Sequence, residues 1–243
     1  MTVLHLADEG EAADLAAFLS RLLHYDRSAA VRLQAAGTAL AVFGRPPSFE
    51  VLAVRTVRLD KPYENGLDAT LDVTVSAGEL LESVDERAAT ARVPGAVTGP
   101  PWAGVLPPRG GWRAEPGLPA PDALRALVAA AVAEFRARTE ELAAEDRTRA
   151  ALDGIGRDIW SRTVGDTGLP VRAVHAAQSL GFLRPRGASG PGTGTGTVTG
   201  IGTGSGEDAP RLFSSGAWLR LRTPFGSVAL RRAGTGALGI SVR

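Results

Sequence analysis

The first ninety residues alternate between a helical and a strand-like hydrophobic pattern. Over residues 9–24, apolar side chains recur every three or four positions, which predicts an amphipathic helix. Asp8 stands three residues before Glu11, the spacing of a capping box at the start of a helix. Beyond this helix the period changes to two or the chain is apolar on both sides, which predicts four strands over residues 29–35, 39–43, 49–59 and 68–75.

Short connections join these strands, so we expect them to pair in an antiparallel way. We therefore predict an α+β fold in which residues 1–90 form an antiparallel four-stranded sheet flanked by helices. One face of this sheet is apolar and packs under the helices. The other face is polar and is expected to meet water or a partner; it carries Arg32, Gln34, Asp68, Thr70 and Asp72.

Residues 91–120 are rich in proline and glycine, which stop both helices and strands. We interpret them as a connector. Trp102 and Trp112 lie inside it, and because an indole ring is costly to leave in water, we expect this connector to pack onto a core.

Residues 121–243 are predicted to form a C-terminal domain of helices and a β-hairpin. Apolar side chains at helical spacing predict a long helix over 121–150 that can continue towards Trp160, with a break near Gly154 and Gly156. A helix this long packs on another helix or mediates self-association. The Gly/Thr-rich insert 187–210 is predicted to be disordered, because frequent glycine loses much backbone entropy on ordering.

The order of the predicted elements over residues 152–232 resembles that of a winged helix. A helix ends near Trp160, a turn follows at residues 165–168, a short helix covers 170–180, and a hairpin covers 217–232. The resemblance implies DNA binding, with side chains of the short helix and the hairpin near the phosphates and bases. The residues implied are Arg172, His175, Gln178, Arg184, Arg186, Arg220, Arg222 and Arg231.

The distribution of charge changes this picture only slightly. Net charge is +1, but residues 1–150 hold 16 basic and 21 acidic side chains, whereas residues 151–243 hold 11 and 5. This asymmetry points to a polyanion or an acidic partner at the C-terminal end. Lys61 is the only lysine, and the dominance of arginine, alanine and glycine indicates the coding bias of a GC-rich bacterial genome.

Several classes of chemistry are excluded by residues that the sequence lacks. There is no cysteine, which excludes disulfides, thiolate nucleophiles and cysteine zinc sites. No phosphate-binding loop, dinucleotide-binding fingerprint, nucleophile elbow or His-Glu-x-x-His motif is present. We predict no cofactor and no metal site. No signal peptide and no run of about 20 apolar residues is found, so we expect a cytoplasmic protein without a membrane contact.

One compact polar group, His24 with Asp26, offers weak candidates for catalysis. A histidine beside a carboxylate can act as a general base. The alternative is a histidine favoured by the dipole at the end of a helix, followed by an aspartate that starts a turn.

Three hypotheses follow for the function. The first is a non-catalytic interaction protein with an adaptor or regulatory role, since the chain has little equipment for catalysis. The second is a DNA-binding regulator that uses the winged-helix-like segment. The third is an enzyme with a centre at His24 and Asp26.

Overall fold

An eight-stranded antiparallel sheet forms the centre of the fold. The computed structural model describes residues 2–63, 70–184 and 209–232. The strands are β1 (Val3–His5), β2 (Ala30–Ala36), β3 (Ala39–Gly44), β4 (Leu52–Arg58), β5 (Thr70–Ser76), β6 (Val84–Asp85), β7 (Thr90–Arg92), β8 (Arg113–Glu115), β9 (Arg211–Ser215), β10 (Trp218–Thr223) and β11 (Gly226–Arg231). The helices are α1 (Glu9–Tyr25), α2 (Ala77–Ser83), α3 (Pro121–Glu140), α4 (Arg149–Ser161) and α5 (Val171–Ser179).

The strand order in the large sheet is β5-β2-β3-β4-β11-β10-β9-β8, and β1, β7 and β6 form a separate small sheet. The predicted α+β class is confirmed, but the prediction of a four-stranded sheet is wrong. The four predicted strands form one half, and β4 continues the sheet by pairing with β11 through Ala53 and Val228. The apolar character of β4 on both faces is typical of such a central strand, whereas its partner lies too far along the chain for a local pattern to reveal it.

Helices cover one face of this sheet, which we call the inner face. Side chains at alternating strand positions point into the core there. The helices α1, α2 and α5 pack on the strands, and α3 packs on α4 and α5. The fully buried inner-face side chains include Leu33, Leu40, Val57, Leu221 and Val228. The predicted first helix is confirmed, because α1 covers residues 9–25 and the Glu11 amide donates to the Asp8 carboxylate at 2.8 Å.

Ion pairs fasten α1 to β4 and to the segment after α5. The pairs are Asp8–Arg58, Glu11–Arg58, Glu11–Arg55, Asp14–Arg55 and Asp14–Arg184. Arg55 lies on the inner face and is only 6% exposed. The Glu11 side chain thus joins β4 instead of completing the predicted capping box.

The prediction of one helix over residues 121–150 is wrong, because α3 ends at Glu140 and α4 begins at Arg149. Thr148 starts α4 by accepting a hydrogen bond from the Ala151 amide at 3.3 Å. Helical periodicity continues across this break, so the pattern alone does not show it. Gly154 and Gly156, which were expected to break the helix, lie inside α4. Arg162, directly after α4, donates hydrogen bonds of 2.6 and 2.8 Å to Glu134 of α3 and so holds α3 and α4 together.

The elements that resemble a winged helix occur in the predicted order but do not form that arrangement in space. β10 pairs with β9 and β11 pairs with β4, so the hairpin lies within the sheet and does not project as a wing. Five of the nine residues of α5 are buried against the core. The insert 187–210 falls almost entirely outside the described residues.

Candidate binding groove on the outer face of the sheet

The face of the large sheet opposite the helices, which we call the outer face, brings distant polar residues together. Strand register places Arg32 of β2 beside Phe43 of β3, Phe43 beside Val54 of β4, and Val54 beside Ser227 of β11. Ser227 lies in turn beside Arg222 of β10. The polar faces predicted separately for the two halves of the chain are therefore one continuous surface, apart from Asp68, which lies outside the described residues.

The connector between β7 and α3 folds over part of this outer face. Trp102 and Leu106 pack on an apolar patch formed by Phe43, Leu52 and Val54. The Trp112 indole donates to the Pro108 carbonyl at 2.9 Å, and the Ser215 hydroxyl donates to the Gly110 carbonyl at 3.2 Å. The expectation that the tryptophans hold this connector on a core is confirmed for Trp102.

A groove of about 520 Å³ lies between this connector and the strands. An adjoining cavity of about 370 Å³ shares several of its walls, so the two form one elongated depression. We call this depression the outer groove. Its floor is apolar at Ala41, Phe43 and Val54, and guanidinium groups line it at Arg32, Arg109 and Arg220.

Arg220 is the most unusual side chain of the outer groove. It is half-buried, and its Nε donates to the Ser227 hydroxyl at 3.0 Å while the guanidinium lies 5.8 Å from the centre of the Trp112 ring. Burial, together with repulsion from Arg222, lowers the pKa of Arg220, although an arginine stays protonated in proteins. No carboxylate within residues 2–63, 70–184 and 209–232 forms an ion pair with it.

Arg32 and Arg109 lie around the acidic group of the outer groove, Asp72. Arg32 binds both oxygens of Asp72, through Nε at 2.7 Å and Nη2 at 2.8 Å, and also donates to the Ala103 carbonyl. Gln34 donates to the same carboxylate at 3.0 Å. The hydrogen bond from Arg32 is the main reason that the pKa of Asp72 is lowered, and the positive charge of Arg109 contributes. The outer groove thus has more positive than negative side chains.

The residues implied in DNA binding are divided between the two sides of the sheet. Arg220, Arg222 and Arg231 share the outer face, as their strand register requires. Arg172 and Arg184 lie on the helical side. The Nε of Arg172 lies 3.8 Å from a Glu50 carboxylate oxygen. Arg184 contacts both oxygens of Asp14 at 2.7 Å and lies over the Phe225 ring.

His175 and Gln178 also lie on the helical side, in a depression of about 510 Å³ between α3 and α5. The His175 ring stacks on Trp160 at 4.7 Å and meets Phe49 edge-on at 5.0 Å. Burial lowers its pKa. Arg186 lies outside the described residues.

The two weak catalytic candidates lie at the end of α1. His24 is exposed, and its ring meets the Tyr25 ring edge-on at 5.3 Å. The Asp26 carboxylate accepts hydrogen bonds from the amide and hydroxyl of Ser28, as expected for an aspartate that starts a turn. Neither residue lines the outer groove or the depression between α3 and α5.

Metal binding and membrane crossing each require features that the described residues do not show. Across the part of the chain that the structure describes, no cluster of three or more histidine, aspartate or glutamate side chains is arranged to hold a metal ion. None of the described helices combines the length and the apolar character that crossing a bilayer requires.

The structure defines an α+β protein built on one antiparallel sheet whose outer face carries an arginine-lined groove. The chain belongs to the family described as "Domain of unknown function (DUF8185)", whose model matches residues 107–235. Residues 1–104 match a second model, described as "Domain of unknown function (DUF8010)". The outer groove takes Arg32 and Asp72 from the first matched range and Arg109 and Arg220 from the second, so it needs both.

Curated proteins and solved structures add little to this family assignment. No curated protein matches the chain. Fifteen chains of solved structures match it, among them a DNA polymerase sliding clamp from Pseudomonas aeruginosa crystallised with a ligand. That match has 14% sequence identity and a TM-score of 0.45, and it covers 90% of this chain but only 62% of the clamp chain. A similarity at this level identifies no function.

Sequence patterns found part of the outer groove. The alternation in β2 and β10 indicated that Arg32 and Arg220 point away from the core. Arg109 and Trp112 carried no such signal, because they lie in an irregular segment whose path depends on the sheet beneath it.

Proposed function

We propose that this protein is a non-catalytic interaction protein and that it binds an acidic segment of a partner protein in the outer groove. The observation that carries the proposal is Arg220, a half-buried guanidinium over a partly apolar groove, with no carboxylate partner among the described residues. A cation that has lost part of its hydration gains strongly from an anion that reaches it.

The expected gain is large enough to matter for binding. A hydrogen bond to a charged group contributes about 1.5–3 kcal/mol. Arg109 adds a second positive charge, and it is exposed with no ion pair inside the described ranges. Complementary charge also accelerates the encounter with an acidic partner.

The shape of the outer groove favours a polypeptide segment. Each cavity falls within the range of about 300–1,000 Å³ that is typical of ligand sites. The depression is elongated and stays open over exposed Thr56 and Asp72, so a chain can enter and leave it along its length. Its apolar floor suits the apolar side chains of such a segment.

DNA binding is the second candidate, and one observation favours it. The outward positions of β9, β10 and β11 carry arginines and no acidic residue, and Arg211, Arg222 and Arg231 are exposed there. Against it, Arg172 and Arg184 lie on the opposite side of the sheet, where a duplex on the outer face does not reach them.

The test is fluorescence anisotropy with the full chain. The probes are a labelled pool of peptides rich in Asp and Glu, the same pool with Asn and Gln instead, and a labelled DNA duplex. We expect the acidic pool to bind, with an affinity that falls as salt rises. Arg220→Gln should weaken this binding. Arg157→Gln is the matched control, because it removes one exposed charge from α4 on the helical side.

The outcomes separate the candidates. Binding of the acidic pool that is lost in Arg220→Gln and kept in Arg157→Gln supports the proposal. Tighter binding of the duplex than of either pool overturns it in favour of DNA. The absence of binding to every probe, or equal weakening by the two variants, also overturns it.

A further inference from the structure

The positive charges of the outer groove lie at two ends of an apolar floor. Arg220 leans from β10 over Ser227 of β11 at one end. Arg109 lies at the other end, where it lines the adjoining cavity together with Thr70, Leu71 and Asp72 of β5. Between them lie β4, β3 and β2, whose outward side chains include Val54, Phe43 and Ala41.

The distance between the two ends follows from the sheet itself. From β11 to β5 there are four strand spacings in the order β11-β4-β3-β2-β5. At about 4.8 Å per spacing, this is about 19 Å. An extended peptide rises about 3.3 Å per residue, so six steps, from its first to its seventh residue, cover about 20 Å.

An extended peptide also turns every second side chain towards the same side. Positions 1, 3, 5 and 7 therefore face the floor of the outer groove together. Positions 1 and 7 fall at the arginine ends, and positions 3 and 5 fall on the apolar floor between them.

We propose that the outer groove recognises an extended seven-residue segment that crosses the strands, with acidic side chains at positions 1 and 7 and apolar side chains at positions 3 and 5. This inference rests on the proposed function and specifies its ligand. Arg220 and Arg109 each receive one carboxylate. The apolar side chains contact the floor of the outer groove at half-buried Ala41 and at the small part of Phe43 that Trp102 and Leu106 leave uncovered. Asp72, held by Arg32 and Gln34, repels acidic groups placed elsewhere at its end of the outer groove.

The order of side chains is tested with two labelled peptides of identical composition. The first is Asp-Ser-Leu-Ser-Leu-Ser-Asp, and the second, Leu-Ser-Asp-Ser-Asp-Ser-Leu, exchanges the acidic and apolar positions. Both are titrated with the full chain and its variants by fluorescence anisotropy at low and high salt. We expect the first peptide to bind at least tenfold more tightly than the second.

Variants locate the two ends. Arg220→Gln and Arg109→Gln should each weaken the first peptide about tenfold, and the matched control Arg157→Gln should leave its affinity unchanged. Arg109 is exposed, so Arg109→Gln folds even if Arg220→Gln is unstable. In Arg109→Glu, a peptide with Lys in place of one terminal Asp should bind better than the unchanged first peptide.

The results distinguish this inference from the proposed function. If both peptides bind equally and Arg220→Gln weakens both, the order of side chains is refuted and the acidic interaction site stands. If neither peptide binds but the acidic pool does, the inference fails alone. If neither the peptides nor the acidic pool binds, both proposals fail.

Discussion

Replacement of the buried Arg55 by methionine tests how α1 is held on the sheet. Arg55 Nη1 donates to the Phe225 carbonyl at 2.8 Å, and Nη2 donates to Glu11 at 2.9 Å and Asp14 at 3.1 Å. One side chain thus connects β4, α1 and the turn between β10 and β11. Methionine fills a similar volume and removes all three hydrogen bonds.

The expected loss follows from the groups left behind. Removal of one partner of a buried ion pair costs about 3–5 kcal/mol, because the other charge remains without compensation. Three features reduce this loss: Glu11 keeps its contact with Arg58, Asp14 keeps its contact with Arg184, and Arg55 Nε is buried without a hydrogen bond among the described residues. We therefore expect the free energy of unfolding to fall by about 3 kcal/mol.

The measurement is thermal unfolding of the full chain, followed by tryptophan fluorescence and circular dichroism. For a chain of this size, each kcal/mol lowers Tm by about 2–4 °C, so Arg55→Met should lower Tm by about 6–12 °C. The matched control is Arg58→Met, which also loses a contact with Glu11 but is 69% exposed on its side chain. Its effect should stay close to the experimental error.

A double variant checks the cause. If the cost of Arg55→Met comes from a largely buried Glu11 carboxylate that keeps only the exposed Arg58 as its partner, Glu11→Gln should recover part of the lost Tm in the Arg55→Met background, while destabilising the wild type. Equal and small losses in Arg55→Met and Arg58→Met would refute the reasoning, and so would the absence of recovery in the double variant.

Three further predictions concern other parts of the fold. Burial lowers the pKa of His175 from its usual 6.5, so as pH falls below about 6.5 the unfolded state takes up this proton before the folded state does, and the free energy of unfolding decreases. His175→Asn should reduce this dependence of the unfolding free energy on pH, measured by urea unfolding, and an unchanged dependence would contradict the role of His175. Gly44→Ala places a Cβ 2.5 Å from Leu22 Cδ1 and should lower the free energy of unfolding by about 1–3 kcal/mol in the same assay. An unchanged urea midpoint would show that Leu22 of α1 moves aside without cost. Thr148→Ala should cost about 1 kcal/mol by removing the cap of α4, with faster amide exchange in its first turn; full protection there speaks against the cap.

The sequence alone determined the elements whose cause is local. Apolar spacing and the cap at Asp8 define α1, because a helix needs only one continuous face and a partner for its free amides. The alternation of apolar and polar residues in β2 and β10 likewise determined that the side chains of Arg32 and Arg220 point away from the core. The end of α3 at Glu140 could not be predicted in this way, because apolar residues continue at helical spacing beyond Glu140, and the cap at Thr148 that starts α4 does not interrupt that spacing.

Only the tertiary structure decided how these elements combine. The pairing of β4 with β11 joins two polar faces into one outer face, although about 170 residues separate Val54 from Ser227 along the chain. A strand's pattern states which side chains face the core but not which distant strand completes its hydrogen bonds. The place of Arg109 in the outer groove could not be predicted from the sequence either. The connector that carries Arg109 packs on the apolar patch of the large sheet, and this sheet forms only when the two halves of the chain have paired.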